Sequence, residues 1–216
     1  GFDLSKNFMT PFYAQSPSEY WTRWHISLSS WVKDYVYLPL ALHFMRRSDS
    51  RISEYKPHVY AMLLMGLWHG AAWTYILWGA YHAFMLITWD FIKWPRPLKR
   101  FRNRIPVALR VAFYFQVTAL SLLIFRASSV RQIGALLRAL AHGLSPKNLT
   151  VPTPPTATLL AIPLLLVLDF LAYRNSSDLF YRKWPDAARG GLVAAMFILV
   201  LMGWSNAPAE FIYFQF

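Results

Sequence analysis

From Val59 to Trp89 the chain carries no Asp, Glu, Lys or Arg, yet it keeps two histidines, His69 and His82, and three glycines, Gly66, Gly70 and Gly79. No other feature limits the fold as tightly. As one straight helix this run would extend about 46 Å, against a hydrocarbon layer of about 30 Å. A single straight span is a poor fit. The place to break it is Gly66-Leu67-Trp68-His69-Gly70, which leaves Ala71 to Trp89 as one span of ordinary length. The segment 59–89 is therefore expected to be a broken helix followed by a span.

Three further apolar stretches, 107–125, 156–173 and the shorter 190–204, read as additional spans. Composition agrees: 56% of residues are hydrophobic and only 15% are charged, too apolar a balance for an ordinary soluble domain. The net charge of +12 could suggest nucleic acid, but the cations sit in short clusters between apolar blocks. Arg46, Arg47 and Arg51 form one cluster, Lys93 to Arg104 a second, and Arg182, Lys183 and Arg189 a third. Juxtamembrane loops facing anionic headgroups look like this. Nucleic acid is not an expected partner; membrane lipid is. The cations of Lys93 to Arg104 border two spans, so the positive-inside bias places that segment in the cytoplasm. The expected fold class is all-α, a polytopic integral membrane protein of the inner or plasma membrane.

Ser16-Pro17-Ser18-Glu19 has the form of a helix start, with Ser16 as N-cap, Pro17 at the first helical position and Glu19 closing a capping box. From there Trp21, Trp24, His25, Leu28, Trp31, Val32 and Tyr35 repeat at helical spacing. The spacing predicts one amphipathic or re-entrant helix over 16–38, disrupted at Pro39. Val130 to Leu140 is a second amphipathic piece, followed by a Pro/Thr-rich linker. The chain has no cysteine, which excludes disulfides, thiolate metal sites and a thioester-forming nucleophile. It begins at Gly1 without an initiator Met or a signal-peptide pattern and is expected to be the C-terminal portion of something longer. The sequons at Asn148 and Asn175 matter only in a secretory pathway.

Gly66 and Gly70 form a small-xxx-small pair that lets another helix approach closely. His69 lies between them, at the expected N-terminal end of the next span, where the helix dipole and burial both disfavour an imidazolium. A neutral imidazole suits a general base; the plainer reading is a histidine that ties two helices together. His82 lies on another helical face with Tyr75, Trp78 and Gly79, so the two histidines cannot ligate one metal from a straight helix. No HExxH or carboxylate cluster accompanies them, and no metal is expected. His82 reads as structural or supporting. His25, alone, reads as packing, and Asp169 as a polar contact within the bundle.

Two stretches change that balance. Glu19 to Leu40, "EYWTRWHISLSSWVKDYVYLPL", and Gly66 to Phe84, "GLWHGAAWTYILWGAYHAF", strongly resemble the signature blocks of the membrane-bound O-acyltransferase family. "FRASS" at Phe125 to Ser129 and the terminal "FIYFQF" resemble the branch that O-acetylates alginate and peptidoglycan, although "ALHFMRR" after "YVYLPL" departs from that branch's Gly-Gly-Asn-Arg-like run. The resemblance runs from near residue 8 to the end and implies that residues 1–216 are the C-terminal portion of such a domain, with broken helices around a tunnel. It implies that His69 is catalytic, with Gly66, Trp68 and Gly70 supporting it, and that His25 is the second histidine of the tunnel. No cofactor is bound on this reading. Acetyl-CoA or another cytoplasmic acyl thioester is the donor, and a polysaccharide is the acceptor, reached through a periplasmic partner acyltransferase. Tyr213 in the aromatic tail is the candidate acyl relay, since a phenol ester keeps much of a thioester's reactivity.

Two other functions compete with acetyl transfer. One is D-alanyl transfer to teichoic acid-type polymers from a carrier-bound donor. The other is a non-catalytic scaffold or channel subunit of a polysaccharide export complex, in which the histidines only pack. A metal-dependent hydrolase lacks a ligand set.

Overall fold

The computed structural model describes residues 5–47, 51–93, 96–143 and 156–203, and every regular element among them is helical. They fall into two compact units, residues 1–146 and 147–216.

The first unit opens with a 3-10 turn, Pro11–Tyr13, and helix α1, Pro17–Trp21. Ser16 stands in extended backbone and its Oγ accepts a bond from the Glu19 N–H at 3.1 Å, with Pro17 leading the helix. The reciprocal bond of a capping box lands one residue earlier, from the Gln15 N–H to Glu19 Oε2 at 2.9 Å. The single helix expected over 16–38 does not form. α1 stops at Trp21, a turn occupies 22–25, and helix resumes at α2, Ile26–Val32.

Tertiary hydrogen bonds make that break. The segment preceding α1 takes backbone bonds that a continuous helix would have needed: Met9 N–H to Arg23 O at 2.9 Å, and Ile26 N–H to Asn7 O at 2.8 Å. Asn7 Oδ1 accepts from the Ser27 N–H at 3.1 Å and from Ser27 Oγ at 2.5 Å. Arg23 is held by Glu19 Oε1, at 3.1 Å from Nε and 2.8 Å from Nη2, while its Nη1 donates to Thr10 Oγ1 at 2.9 Å. Pro39 does not end the helix either. α2 runs through a π turn, Lys33–Tyr37, into α3, Leu38–Arg47. The Leu38 N–H bonds back to Lys33 O, and this wider turn just before Pro39 makes room for a ring that would otherwise meet the carbonyl four residues back.

α4, Arg51–Trp68, and α5, Trp73–Lys93, form an antiparallel hairpin joined by residues 69–72. α4 starts before the apolar run and carries Glu54, Lys56 and Pro57 in its opening turns. Glycines set the hairpin's spacing. A Cβ on Gly66 would lie 2.3 Å from Tyr75 O, and one on Gly79 would lie 2.3 Å from Met62 O. The close-approach partner of Gly66 is thus the Tyr75 backbone across the hairpin, with Gly79 alongside, whereas Gly70 serves the turn with φ 146°. At the far end of the pair, His58 Nε2 lies 3.6 Å from Asp90 Oδ2.

α6, Arg96–Arg104, follows, with Arg102 over the Trp89 ring at 5.2 Å. α7, Val107–Arg126, packs on α5 through buried Tyr114, Thr118 and Ser121, and Tyr81 Oη donates to Val117 O at 2.8 Å. α8, Val130–Gly143, ends the described part of this unit. Its core gathers Tyr20, Trp21, Val32, Met62, Met65, Trp78, Leu86 and Tyr114.

In the second unit, α9, Thr156–Asn175, and α10, Asp186–Met202, pack on each other and are linked through a 3-10 turn, Phe180–Lys183. Ser176 at φ 50° stops α9, and the Ser177 N–H returns to Ala172 O at 3.1 Å, a Schellman-type end. Asn175 Nδ2 donates to Leu171 O at 2.7 Å within that cap.

Among the described residues, α7 and residues Thr158–Asn175 of α9 are the helices long and apolar enough to cross a membrane. The other two expected spans fall short. Trp, Tyr and Gly dilute the apolar character of α5, and the 17 residues of α10 reach about 26 Å.

Candidate active site

His69 is the first residue beyond α4. Its N–H bonds to Gly66 O at 3.0 Å, and the Gly70 N–H bonds to Leu67 O at 3.1 Å, so the chain is still unwinding from α4 when it passes the imidazole. α5 begins only at Trp73. The expected influence of a helix N-terminus on His69 is therefore not found, since dipole effects fade beyond the first turn. What surrounds the ring instead is aromatic. Trp68, Trp78 and Phe125 lie at 4.9, 5.3 and 5.0 Å, each within 10° of perpendicular to it. Edge-on packing from three elements fixes the half-buried imidazole's orientation.

His25 also packs on Trp68, its ring 5.7 Å from that indole and 6.1 Å from Phe8. It holds φ 43°, a left-handed conformation uncommon outside glycine and a recurrent mark of functional sites. The bonds from Asn7 to Ile26 and Ser27 lock it there. Its Nδ1 is buried with no hydrogen-bond partner among the described residues. Chain folding thus brings His25 and His69 against one indole, Trp68.

His82 is buried one turn further along α5. It stacks on Tyr20 at 6.1 Å and meets Trp21 at 5.0 Å and Trp78 at 4.7 Å. Trp78 therefore touches both His82 and His69. Burial pushes the Tyr20 phenol well above the ordinary tyrosine range, so Tyr20 presents a neutral face to His82. Among the described residues no three His, Asp or Glu side chains come together to hold a metal ion. A separate cavity of about 210 Å³ is lined from α1, α2, the π turn, α4 and α5, by Trp21, Met62, Met65 and Leu86 together with Tyr37 and His58.

Sequence reasoning did not find Trp78, Tyr20 or Phe125 as parts of the site. Phe125 had a signal, because it opens the "FRASS" motif. Its ring walls His69, and the two serines that follow cap α8. Tyr213 and the aromatic tail lie outside the described residues.

Comparison with known proteins shows the family. The family model of MBOAT, the membrane-bound O-acyltransferase family, matches residues 4–129, the segment that holds His25, Trp68, His69, His82 and Phe125. The chain belongs to that family. Its membrane-bound character accords with α7 and α9. A probable alginate O-acetylase of Pseudomonas putida is 32% identical over 100% of this chain and 47% of the relative. The peptidoglycan O-acetyltransferase of Helicobacter pylori is 25% identical over 99% and 43%. A teichoic acid D-alanyltransferase of Streptococcus thermophilus is 32% identical over 55% and 32%. The chain spans about half the length of the first two of these relatives.

Proposed function

We propose that this chain carries the catalytic portion of a multi-pass inner-membrane O-acyltransferase. It moves an acyl group, acetyl in the main reading, from a cytoplasmic thioester to a hydroxyl of an exported or cell-envelope polysaccharide. The observation that carries the reading is His69: an imidazole at a helix break, walled by Trp68, Trp78 and Phe125, with His25 packed on the same Trp68. Irregular backbone in a membrane protein is tolerated where it lines a cavity or is buried in protein, which favours a cavity at this break.

The chemistry needs little else. His69 takes the proton of the acceptor hydroxyl as that oxygen attacks the thioester carbonyl. The tetrahedral intermediate expels the thiolate, and the imidazolium returns its proton to the leaving sulfur. A positioned base contributes about 10²–10⁴-fold to such a step. His25 orients the acceptor or the His69 ring. In the relay version, the Tyr213 phenol takes the acyl group first and passes it to a periplasmic partner enzyme. Likeness to an alginate O-acetylase and a peptidoglycan O-acetyltransferase supports a polysaccharide acceptor; likeness to a teichoic acid D-alanyltransferase keeps a carrier-bound D-alanyl donor as the second reading.

The test uses the full enzyme in membranes with labelled acetyl-CoA and, separately, carrier-bound D-alanine. Acetylated envelope polysaccharide from acetyl-CoA alone supports the main reading, and product from the carrier alone moves it to the second. Tyr213→Phe separates relay from direct transfer: with the relay it blocks polysaccharide modification, and an unchanged product yield leaves direct transfer assisted by His69. On the same reading the Lys93 to Arg104 segment faces the cytoplasm. An impermeant thiol reagent that labels Leu98→Cys from outside intact cells would overturn that topology.

A further inference from the structure

α8 lies outside the segment matched by the family, and the proposed chemistry does not use it. Its start is built with care. Ser129 Oγ accepts from the Gln132 N–H at 3.2 Å, and Gln132 Oε1 reaches back to the Ser128 N–H at 2.6 Å and to Ser128 Oγ at 2.8 Å. These bonds fix where the helix begins and hence which way its faces point. At 100° per residue, Val130, Ile133, Leu136, Leu137 and Leu140 fall on one face. Arg131, Arg138 and His142 fall on the opposite face, and Val130 to Gly143 contains no Asp or Glu.

The apolar face is open. Of α8 only Ile133 is buried, while Leu137 is 41% and Leu140 50% exposed. In water that face would be a large uncovered apolar stripe. Its position says what covers it. α7 is a helix fit to cross a membrane, and it ends at Arg126, only three residues before α8 begins. The end of a membrane-crossing helix is at the bilayer surface, so α8 starts there too. A helix with a leucine face, a cationic face and no acidic side chain, starting at that surface, matches an interfacial amphipathic helix beside anionic lipid.

We propose that α8 lies in the membrane interface, with Leu136, Leu137 and Leu140 dipped below the headgroups and Arg131 and Arg138 bound to anionic lipid phosphates. The helix would then anchor the end of α7 that carries Phe125, one wall of the His69 cage. The proposal concerns lipid contact and does not depend on the acyl-transfer reading.

The absence of cysteine makes single-site labelling direct. The full chain would be reconstituted in nanodiscs of phosphatidylcholine with and without phosphatidylglycerol, carrying an environment-sensitive fluorophore at Leu137→Cys or at Arg131→Cys. Both positions are exposed, so neither label should disturb the fold. The label at 137 is expected to emit at shorter wavelength and to be quenched by lipid-borne nitroxide near the carbonyl level, with little quenching by aqueous iodide. The label at 131 should show the reverse. Adding Arg131→Gln and Arg138→Gln to the Leu137→Cys chain should abolish the extra lipid quenching that phosphatidylglycerol produces. Iodide quenching at 137 equal to that at 131 would overturn the proposal, because α8 would then stand in water. A label at 137 shielded from both quenchers would also overturn it, by showing that protein rather than lipid covers the leucine face.

Discussion

Gly79 in α5 and Gly190 in α10 both sit in apolar helices, but the helices use their apolar surface in opposite ways. α5 buries Trp78, Gly79, His82, Ala83 and Leu86 against α4, α1 and α7. α10 buries none of its residues, and Val193, Phe197 and Val200 are exposed. A composition count barely separates them. What separates them is the company of side chains with polar atoms: α5 carries Tyr75, Trp78, Tyr81 and His82, which need partners, whereas α10 beyond Arg189 carries only Gly, Ala, Val, Leu, Ile, Met and Phe, which a lipid or detergent surface satisfies. Left-handed backbone occurs in both units, at Thr10 and His25 in the first and at Ser176 in the second. The two left-handed residues nearest the imidazoles, His25 itself and Gly70, belong to the packed unit, where neighbours can hold them in place. A greasy helix that packs can carry a site, and one that only faces outward can carry length.

The largest effect that tests this contrast comes from His69→Ala. Transfer should fall about 10²–10⁴-fold, the contribution of a positioned base, while the protein still inserts and accumulates in the membrane. Turnover close to normal would leave the packed unit without a catalytic role, and disappearance of the protein from the membrane would make His69 a structural tie. His25→Asn comes next. Asn tolerates the left-handed conformation that His25 adopts, so the fold should persist. Turnover should fall about 10²-fold, the cost of misplacing a reacting group by ~1 Å, with donor binding less affected than kcat. Equal losses in donor binding and turnover would point to collapse of the loop rather than to orientation.

Parts of this arrangement are legible from residues alone, where a local rule decides. Ser16 caps α1, the Gly66 to Gly70 stretch ends a helix, and the apolar blocks after Pro106 and Pro155 become α7 and α9. The illegible parts depend on contacts distant in sequence. The stripe from Trp21 to Tyr35 has the same period whether or not the helix is broken. Only the bonds from Asn7 and Met9, which no periodicity registers, cut it at His25. Gly66 and Gly70 look like a packing pair because they are four apart, but the Cβ clash that matters joins Gly66 to the Tyr75 backbone, with Gly79 alongside. Phe125 is 56 positions from His69 in sequence and 5.0 Å from it in space. The His25–Trp68–His69 grouping is accessible only through resemblance, since composition and spacing leave His69 open between a base and a structural tie and leave His25 as a packing residue.

The smallest effects sharpen the comparison by applying one substitution to both regions. Gly79→Ala puts a Cβ 2.3 Å from Met62 O, a backbone atom that cannot rotate away, so α4 and α5 must move apart. The expected cost is about 1–3 kcal/mol, as for an overpacked core, read as a lower unfolding midpoint in detergent. Turnover should fall as well, because His69 hangs from the apex of that hairpin. Gly190→Ala meets nothing within 4 Å. It should be neutral or stabilise α10 by up to ~1 kcal/mol through helix propensity, with no change in turnover. A destabilising Gly190→Ala would mean that α10 is covered by close neighbours that its exposed side chains do not reveal. An innocuous Gly79→Ala would mean that the hairpin has slack, and that the cage around His69 is not held by the glycine contact. The midpoint of Gly79→Ala should therefore lie below that of Gly190→Ala, and the sign of the difference carries the test because it is insensitive to detergent conditions common to both.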